Sequence, residues 1–219
     1  MESLDTLLRE AEIAHGHLCA GQILGVRMAM LGCRMLGIDD PRGLVNRADR
    51  KRLVTFVEID RCATDAIAVV TGCRLGKRAL QFRDWGKMAA SFLDLGRPAD
   101  EAHGLAAIPG GRAVRIAALE SSKQRAREFY PHIESKNAQQ MLAYRELPDV
   151  ELFSTEWVSI PLHAREMPGY KSPRVACAAC GEGINYDREV VREDGGESVT
   201  LCQACAFPET RYYQPIAGA

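Results

Sequence analysis

The stretch His15–Gln22, with the sequence HGHLCAGQ, places two imidazoles and one thiol within five residues. An apolar segment follows directly, runs to Leu36 and is predicted to form a helix. A cysteine at a helix start meets unpaired backbone N–H groups and the positive end of the helix dipole, and both favour the thiolate. His17 and Cys19 can project to one side of an extended or turning backbone. The stretch therefore predicts a site for a soft divalent metal or a reactive thiolate.

The composition excludes several classes of protein. The chain has 219 residues, is 47% hydrophobic and 26% charged, and carries a formal net charge of −1. This charge gives no electrostatic reason to expect nucleic acid or an anionic membrane as a partner. Apolar runs fall short of the ~18 residues that span a bilayer, and the acidic N-terminus does not resemble a signal peptide. We therefore expect a cytoplasmic protein whose eight cysteines stay reduced rather than forming a disulfide framework.

The order of the predicted elements indicates an α+β fold, because strands cluster in the middle of the chain and helices lie at both ends. Residues 39–43 are predicted to be a loop, and the basic residues Arg47, Arg50, Lys51 and Arg52 are predicted to form a solvated face. Pro and Gly near residues 167–173 indicate a linker, which separates a domain of residues 1–168 from a smaller one of residues 172–215. Helices are predicted over 3–14, 22–36, 120–130 and 134–145, with a short one ending at 70, and strands over 53–59, 79–83, 87–95, 113–118 and 152–160.

Further candidate site residues follow the first predicted strand. Glu58 and Asp60 are two residues apart and share a strand face, so they are candidates for a base or for partners of Lys77 or Lys87. The equally simple alternative is two solvated acids at the end of a strand. Cys62 lies at the turn from this strand into a helix, where scaffolds often place reactive groups.

A Thr-Gly-Cys-x-x-Gly-Lys turn then presents Cys73 and Lys77. It lacks the spacing of a phosphate-binding P-loop, and Arg78 stands where a magnesium-binding Ser or Thr belongs. If folding brings these segments together, His17, Cys19 and Cys62 form an open metal site with Cys73 or an acid beside it. Thiolate and imidazole donors favour zinc or a similar ion, and three protein ligands leave a position for water or substrate.

The C-terminal region carries the most specific metal motif. Cys177 and Cys180 form one C-x-x-C pair, Cys202 and Cys205 form a second, and 21 residues separate them. Each pair can supply two corners of a zinc tetrahedron, with a short hairpin predicted between the pairs. About 40 residues cannot build a stable core alone, so we expect zinc to supply the folding energy.

Four thiolates close the coordination sphere, which argues against catalysis at this zinc. Iron bound as in rubredoxin and a redox C-x-x-C pair are weaker alternatives. Between Arg174 and Phe207 three arginines face six acidic residues, and this net charge of −3 opposes binding to phosphate backbones. The module is therefore predicted to dock a protein or to stabilise a dimer.

The motifs HGHxCxG at residues 15–21, ExDxCxxDAI at 58–67, TGCxxGK at 71–77 and DxGK at 84–87, followed by the four-cysteine module, resemble the formylmethanofuran dehydrogenase E-subunit family. The resemblance implies an α+β domain with a zinc-finger-like domain after it, a tendency to dimerise, and an accessory role beside a molybdenum or tungsten enzyme. Ala20 departs from the family pattern, which usually has proline there. This change loosens the turn but removes no ligand.

Three functions follow from these observations. The first is a metal- or thiol-dependent enzyme that acts on a small substrate. The second, which we favour, is an accessory protein that binds metal or handles a sulfur-rich cofactor such as molybdopterin for a molybdenum or tungsten enzyme. The third is a structural component that docks a partner through the zinc ribbon. An open three-ligand site in a deep pocket would favour the first, an exposed site with several thiols the second, and dispersed thiols the third.

Overall fold

The computed structural model describes residues 1–46, 52–96, 112–214 and 216, and the chain divides into two compact units, Met1–Leu162 and His163–Ala219. The first unit combines helices with a sheet, and the second contains the clustered cysteines, which confirms the predicted α+β class. The division precedes the predicted boundary at residue 168. Within the described residues, no helix has both the length and the hydropathy needed to cross a membrane.

The first four helices are α1 (Leu4–His15), α2 (Ala20–Leu36), α3 (Pro41–Asn46) and α4 (Cys62–Thr71). The hydroxyl of Ser3 accepts a bond from the N–H of Thr6 at 3.2 Å, so the predicted first helix has a side-chain cap. Helix α3 corrects the prediction that residues 39–43 form a loop. Asp40 accepts from the N–H of Gly43 at 2.9 Å, and proline at the first helical position fixes a helical φ.

The sheet of the first unit has the order β2-β1-β3-β4-β5. β1 and β2 are parallel, whereas each of the other neighbouring pairs is antiparallel. Helices α1, α2 and α4 share one hydrophobic core with side chains from one sheet face, including Leu53, Phe92 and Ile116. The remaining elements are β1 (Leu53–Val57), β2 (Leu80–Phe82), β3 (Ala89–Asp94), β4 (Arg112–Ala118), α5 (Ser121–Phe129), α6 (Lys136–Glu146), α7 (Asp149–Leu152) and β5 (Phe153–Val158).

The predicted basic face has a different role where it can be described. Arg52 donates from Nε and Nη2 to the two carboxylate oxygens of Asp94, at 3.0 and 2.6 Å. Asp94 is buried, so Arg52 ties the start of β1 to the end of β3 rather than standing on a solvated face. The other three residues of that cluster, Arg47, Arg50 and Lys51, lie outside the described residues.

The second unit is built from short elements. Its central feature is a hairpin of two strands joined through Gly195 and Gly196, both of which have positive φ and suit a tight turn. This hairpin confirms the one predicted between the two cysteine pairs. The elements are β6 (Val175–Ala176), β7 (Gly183–Ile184), β8 (Val190–Asp194), β9 (Glu197–Leu201) and α8 (Gln203–Ala206).

Candidate metal centres

The four C-terminal cysteines converge on one point. The sulfurs of Cys177, Cys180, Cys202 and Cys205 all lie within 4.8 Å of one another, and those of Cys180 and Cys202 are 4.0 Å apart. A tetrahedral zinc with Zn–S bonds of about 2.3 Å needs sulfurs about 3.8 Å apart. The donor set and its spacing therefore fit a tetrathiolate metal centre.

Local backbone structure explains the convergence. The N–H of Gly181 donates to the carbonyl of Cys177 at 2.9 Å, and Gly181 adopts the positive φ that closes this first knuckle. In the second pair, the N–H of Cys205 donates to the carbonyl of Cys202 at 3.1 Å. The two knuckles meet because the N–H of Cys202 donates to the sulfur of Cys177 at 3.2 Å.

The same contacts prepare one sulfur for a cation. The N–H groups of Cys202 and then of Cys180 donate to the sulfur of Cys177, and they lower its pKa to about 6. Cys205 behaves oppositely, because the adjacent thiol of Cys202 and burial raise its pKa. Four thiols this close cannot all ionise without a positive charge among them, which is what a bound divalent ion supplies.

The first unit brings two of its predicted site cysteines together at helix starts. Cys19 is the N-cap of α2, and Cys62 is the first residue of α4. The two helices pack closely at Gly25, where a Cβ atom would lie only 2.5 Å from the backbone oxygen of Ala63. This glycine thus permits the approach that places both thiols at the positive ends of neighbouring helices.

The two thiols also act on each other. A Cβ built on Gly21 would lie 3.5 Å from the Cβ of Cys62 and 3.8 Å from the sulfur of Cys19. Burial, followed by interaction with the adjacent Cys19 thiol, raises the pKa of Cys62. Both side chains are partly exposed, so the pair is open to solvent.

The histidines stand beside this thiol pair. Nδ1 of His15 lies 2.8 Å from a carboxylate oxygen of Asp65, which is three residues after Cys62 in the first turn of α4. The ring of His17 lies 4.9 Å from that of His15, and His17 is exposed. Asp65 was not among the predicted site residues, although its position one helical turn beyond a candidate cysteine could have indicated it.

This cluster is looser than the C-terminal one. Among the described residues, the four C-terminal cysteines are the group of three or more His, Cys, Asp or Glu side chains whose donor atoms lie close enough for one ion. His17, Cys19 and Cys62 do not form such a group as they stand. A metal here would require rotation of side chains, which partial exposure permits.

Glu58 and Asp60 do not join the thiols. Glu58 receives bonds from Nε and Nη2 of Arg115 on β4, both at 2.7 Å, and is buried. The predicted partners Lys77 and Lys87 are replaced by this arginine, so Glu58 serves the sheet rather than acting as a base. β1 ends at Val57, and Asp60 lies exposed in the loop beyond it.

Cys73 and Lys77 lie at the other end of α4. This helix has ten residues, so about 15 Å of helix separates Cys62 from the turn that holds Cys73. Cys73 is fully buried and accepts a bond from the hydroxyl of Thr55 at 3.4 Å, and burial raises its pKa. It is a core thiol, and Lys77 lines a separate surface cavity of about 320 Å³ together with Arg42 and Arg74.

Comparison with known proteins places the chain in a family. The model of a family described as "FmdE, Molybdenum formylmethanofuran dehydrogenase operon" matches residues 14–154, well over half of the chain. The chain belongs to the FmdE family. The match begins just before the HGHLCAGQ stretch and ends within β5, so it covers most of the first unit, including the thiol pair.

Two similar proteins are known. A crystal structure of an FmdE-like protein of tungsten formylmethanofuran dehydrogenase, from Syntrophus aciditrophicus, superposes with a TM-score of 0.58 at 18% identity, covering 96% of this chain and 95% of that one. At this identity the likeness concerns the fold. A curated relative from Archaeoglobus fulgidus, named a probable S-adenosyl-L-methionine-binding protein, is 36% identical over 90 residues, which are 41% of this chain and 24% of the relative. The chain thus spans about a quarter of that relative's length.

Proposed function

We propose that this FmdE-family chain is an accessory protein that binds metal at two places and serves a molybdenum or tungsten enzyme or its cofactor. In the first unit, His17, Cys19 and Cys62 bind an exchangeable divalent ion. In the second unit, Cys177, Cys180, Cys202 and Cys205 hold a structural zinc. Family membership supports the accessory role, and the donor types support zinc or a similar borderline-soft ion.

The observation that carries the first site is the placement of Cys19 and Cys62 at the starts of two packed helices. Helix N-termini stabilise negative charge, so they favour the thiolates that a metal requires. The carboxylate of Asp65 orients the ring of His15 beside the pair, as acids commonly do for histidines near metals.

Exposure decides between handling a metal and using it in catalysis. His17 is exposed, and both thiols are partly exposed, so a larger molecule can reach them directly. An ion bound there could pass to a partner by ligand exchange. A hydrolytic site would instead be expected to lie in an enclosed pocket that excludes bulk water.

Cobalt titration tests the first site in isolation. In the Cys177→Ser variant we expect one Co²⁺ to bind with the thiolate charge-transfer absorption of cysteine ligands, and we expect this band to disappear when Cys19→Ser is added. Cys33→Ser on the same background is the matched control, because Cys33 is fully buried in the core and should leave the band unchanged. A band that survives loss of Cys19 would refute the assignment.

The accessory role needs a second experiment. In cells that make this protein, deletion of its gene should lower the metal content and activity of a molybdenum or tungsten oxidoreductase, and Cys62→Ser should fail to restore them. Unchanged metal content in the deletion strain would exclude this role. We also propose a homodimer, which light scattering on the purified chain would detect as twice the 24.1 kDa mass.

A further inference from the structure

Arg211 makes a contact that neither the cysteine motifs nor the family match includes. Its Nη2 group donates to the sulfur of Cys205 at 3.5 Å, within the four-cysteine cluster. The family model ends at residue 154, far before this arginine. The contact therefore belongs to the second unit of this chain alone.

The arginine is held in place by the backbone around it. Its Nε group donates to the carbonyl of Ala204 at 2.7 Å, and its own N–H donates to the carbonyl of Pro208 at 3.2 Å. A short 3₁₀ turn over Pro208–Thr210 brings the chain back toward α8 after Phe207. The guanidinium is thus fixed on both sides, and its orientation toward the sulfur is built into the turn.

The charge of the centre explains why a cation belongs there. Four thiolates around a divalent ion carry a net charge of −2, and a partly exposed anionic centre attracts protons and electrophiles. An N–H donor on a ligating sulfur draws electron density from it and lowers its nucleophilicity. Cys177 receives a backbone N–H from Cys202, whereas Cys205 receives the charged guanidinium.

We propose that Arg211 is a positioning residue for the C-terminal metal, which it retains by shielding the sulfur of Cys205. This inference rests on the proposed zinc at the four cysteines. It adds a fifth side chain to that centre and assigns a task to the segment after the last cysteine. Cys205 is accordingly the sulfur whose reactivity depends most on Arg211.

The test uses the full-length chain in a Cys19→Ser background, so that the other site contributes no metal. Zinc transfer to an excess of a chromogenic chelator gives the rate of metal loss. Alkylation by N-ethylmaleimide, read by peptide mass spectrometry, gives the rate at each cysteine. The variants are Arg211→Gln and Arg211→Lys, and the matched control is Arg192→Gln, because Arg192 contacts the carbonyl of Ala206 and the ring of Phe207 instead of a sulfur.

We expect Arg211→Gln to lose zinc about tenfold faster, at the lower end of the effects seen when outer partners of metal ligands are removed. Alkylation should rise first at Cys205 rather than at Cys177. Arg211→Lys should restore part of the retention, because it keeps the charge but not the two-pronged geometry, and Arg192→Gln should behave as the parent protein.

Unchanged zinc loss in both Arg211 variants, with zinc present in the parent protein, would overturn this inference and leave the proposed function intact. An equal rise in alkylation at all four cysteines would also overturn it, because that pattern indicates general loosening of the unit. A parent protein without zinc at these cysteines would refute that part of the proposed function and this inference with it.

Discussion

Replacement of Gly25 by alanine tests the helix packing on which the thiol pair depends. The added Cβ would lie 2.5 Å from the backbone oxygen of Ala63 and 2.7 Å from its Cα, distances that real Cβ atoms do not occupy. Because these atoms are backbone, relief requires α2 and α4 to move apart. The same movement would separate Cys19 from Cys62, so one substitution should affect both stability and metal binding.

The size of the effect follows from two opposing contributions. Overpacking of a well-packed core costs about 1–3 kcal/mol. Alanine is a better helix former than glycine by about 1 kcal/mol, which offsets part of that cost. We therefore expect a net loss of about 1–2 kcal/mol, or roughly 2–8 °C in Tm at the 2–4 °C per kcal/mol typical of 150–250 residues.

Urea unfolding followed by tryptophan fluorescence is the assay. Both tryptophans, Trp85 and Trp157, lie in the first unit, so the signal reports that unit alone. Gly21→Ala is the control within the same helix, because its Cβ would make ordinary contacts of 3.5 and 3.8 Å. The reasoning fails if Gly25→Ala is as stable as the wild type, or if Gly21→Ala is equally damaging.

Two further substitutions test buried groups of the first unit by the same urea assay. Arg115→Met should cost about 3–5 kcal/mol, because it leaves the buried carboxylate of Glu58 unpaired, whereas Glu58→Met combined with Arg115→Met should recover much of that loss; a loss below about 1 kcal/mol in the single variant would contradict the role given to this pair. Burial, and secondly the nearby Cys73 thiol, raise the pKa of Cys33 from 9.0 to about 12. Below pH 9 both states keep the proton, but at higher pH the unfolded thiol ionises first, so stability should fall by ~1.4 kcal/mol per pH unit up to about pH 12. Cys33→Ala should show a shallower decline between about pH 9 and 11, and equal slopes would refute this.

Features that depend on neighbouring residues could be predicted from the sequence. The Ser3 cap, the hairpin through Gly195 and Gly196 and the two C-x-x-C pairs each act over a few residues, and the structure contains all three. Helix α3 was missed because Asp40 and Pro41 occur at turns as often as at helix starts. The N–H that Asp40 caps decides the matter only once the helix exists.

Features that depend on tertiary pairing could not be predicted. Arg115 is 57 residues from Glu58, and only the sheet register brings the two together. Cys62 and Cys73 looked equivalent because both lie near turns, yet they occupy opposite ends of α4. The pairing of His15 with Asp65 likewise spans 50 residues and depends on how α1 and α4 are placed.

Metal stoichiometry by elemental analysis tests the central claim of two separate metal sites most directly. The wild-type chain, loaded with zinc and desalted, should contain two zinc ions per chain. Cys177→Ser should lose the C-terminal ion and keep the other, and Cys19→Ser should do the reverse. A wild type with one ion per chain, unaffected by Cys19→Ser, would contradict the account by removing the N-terminal site.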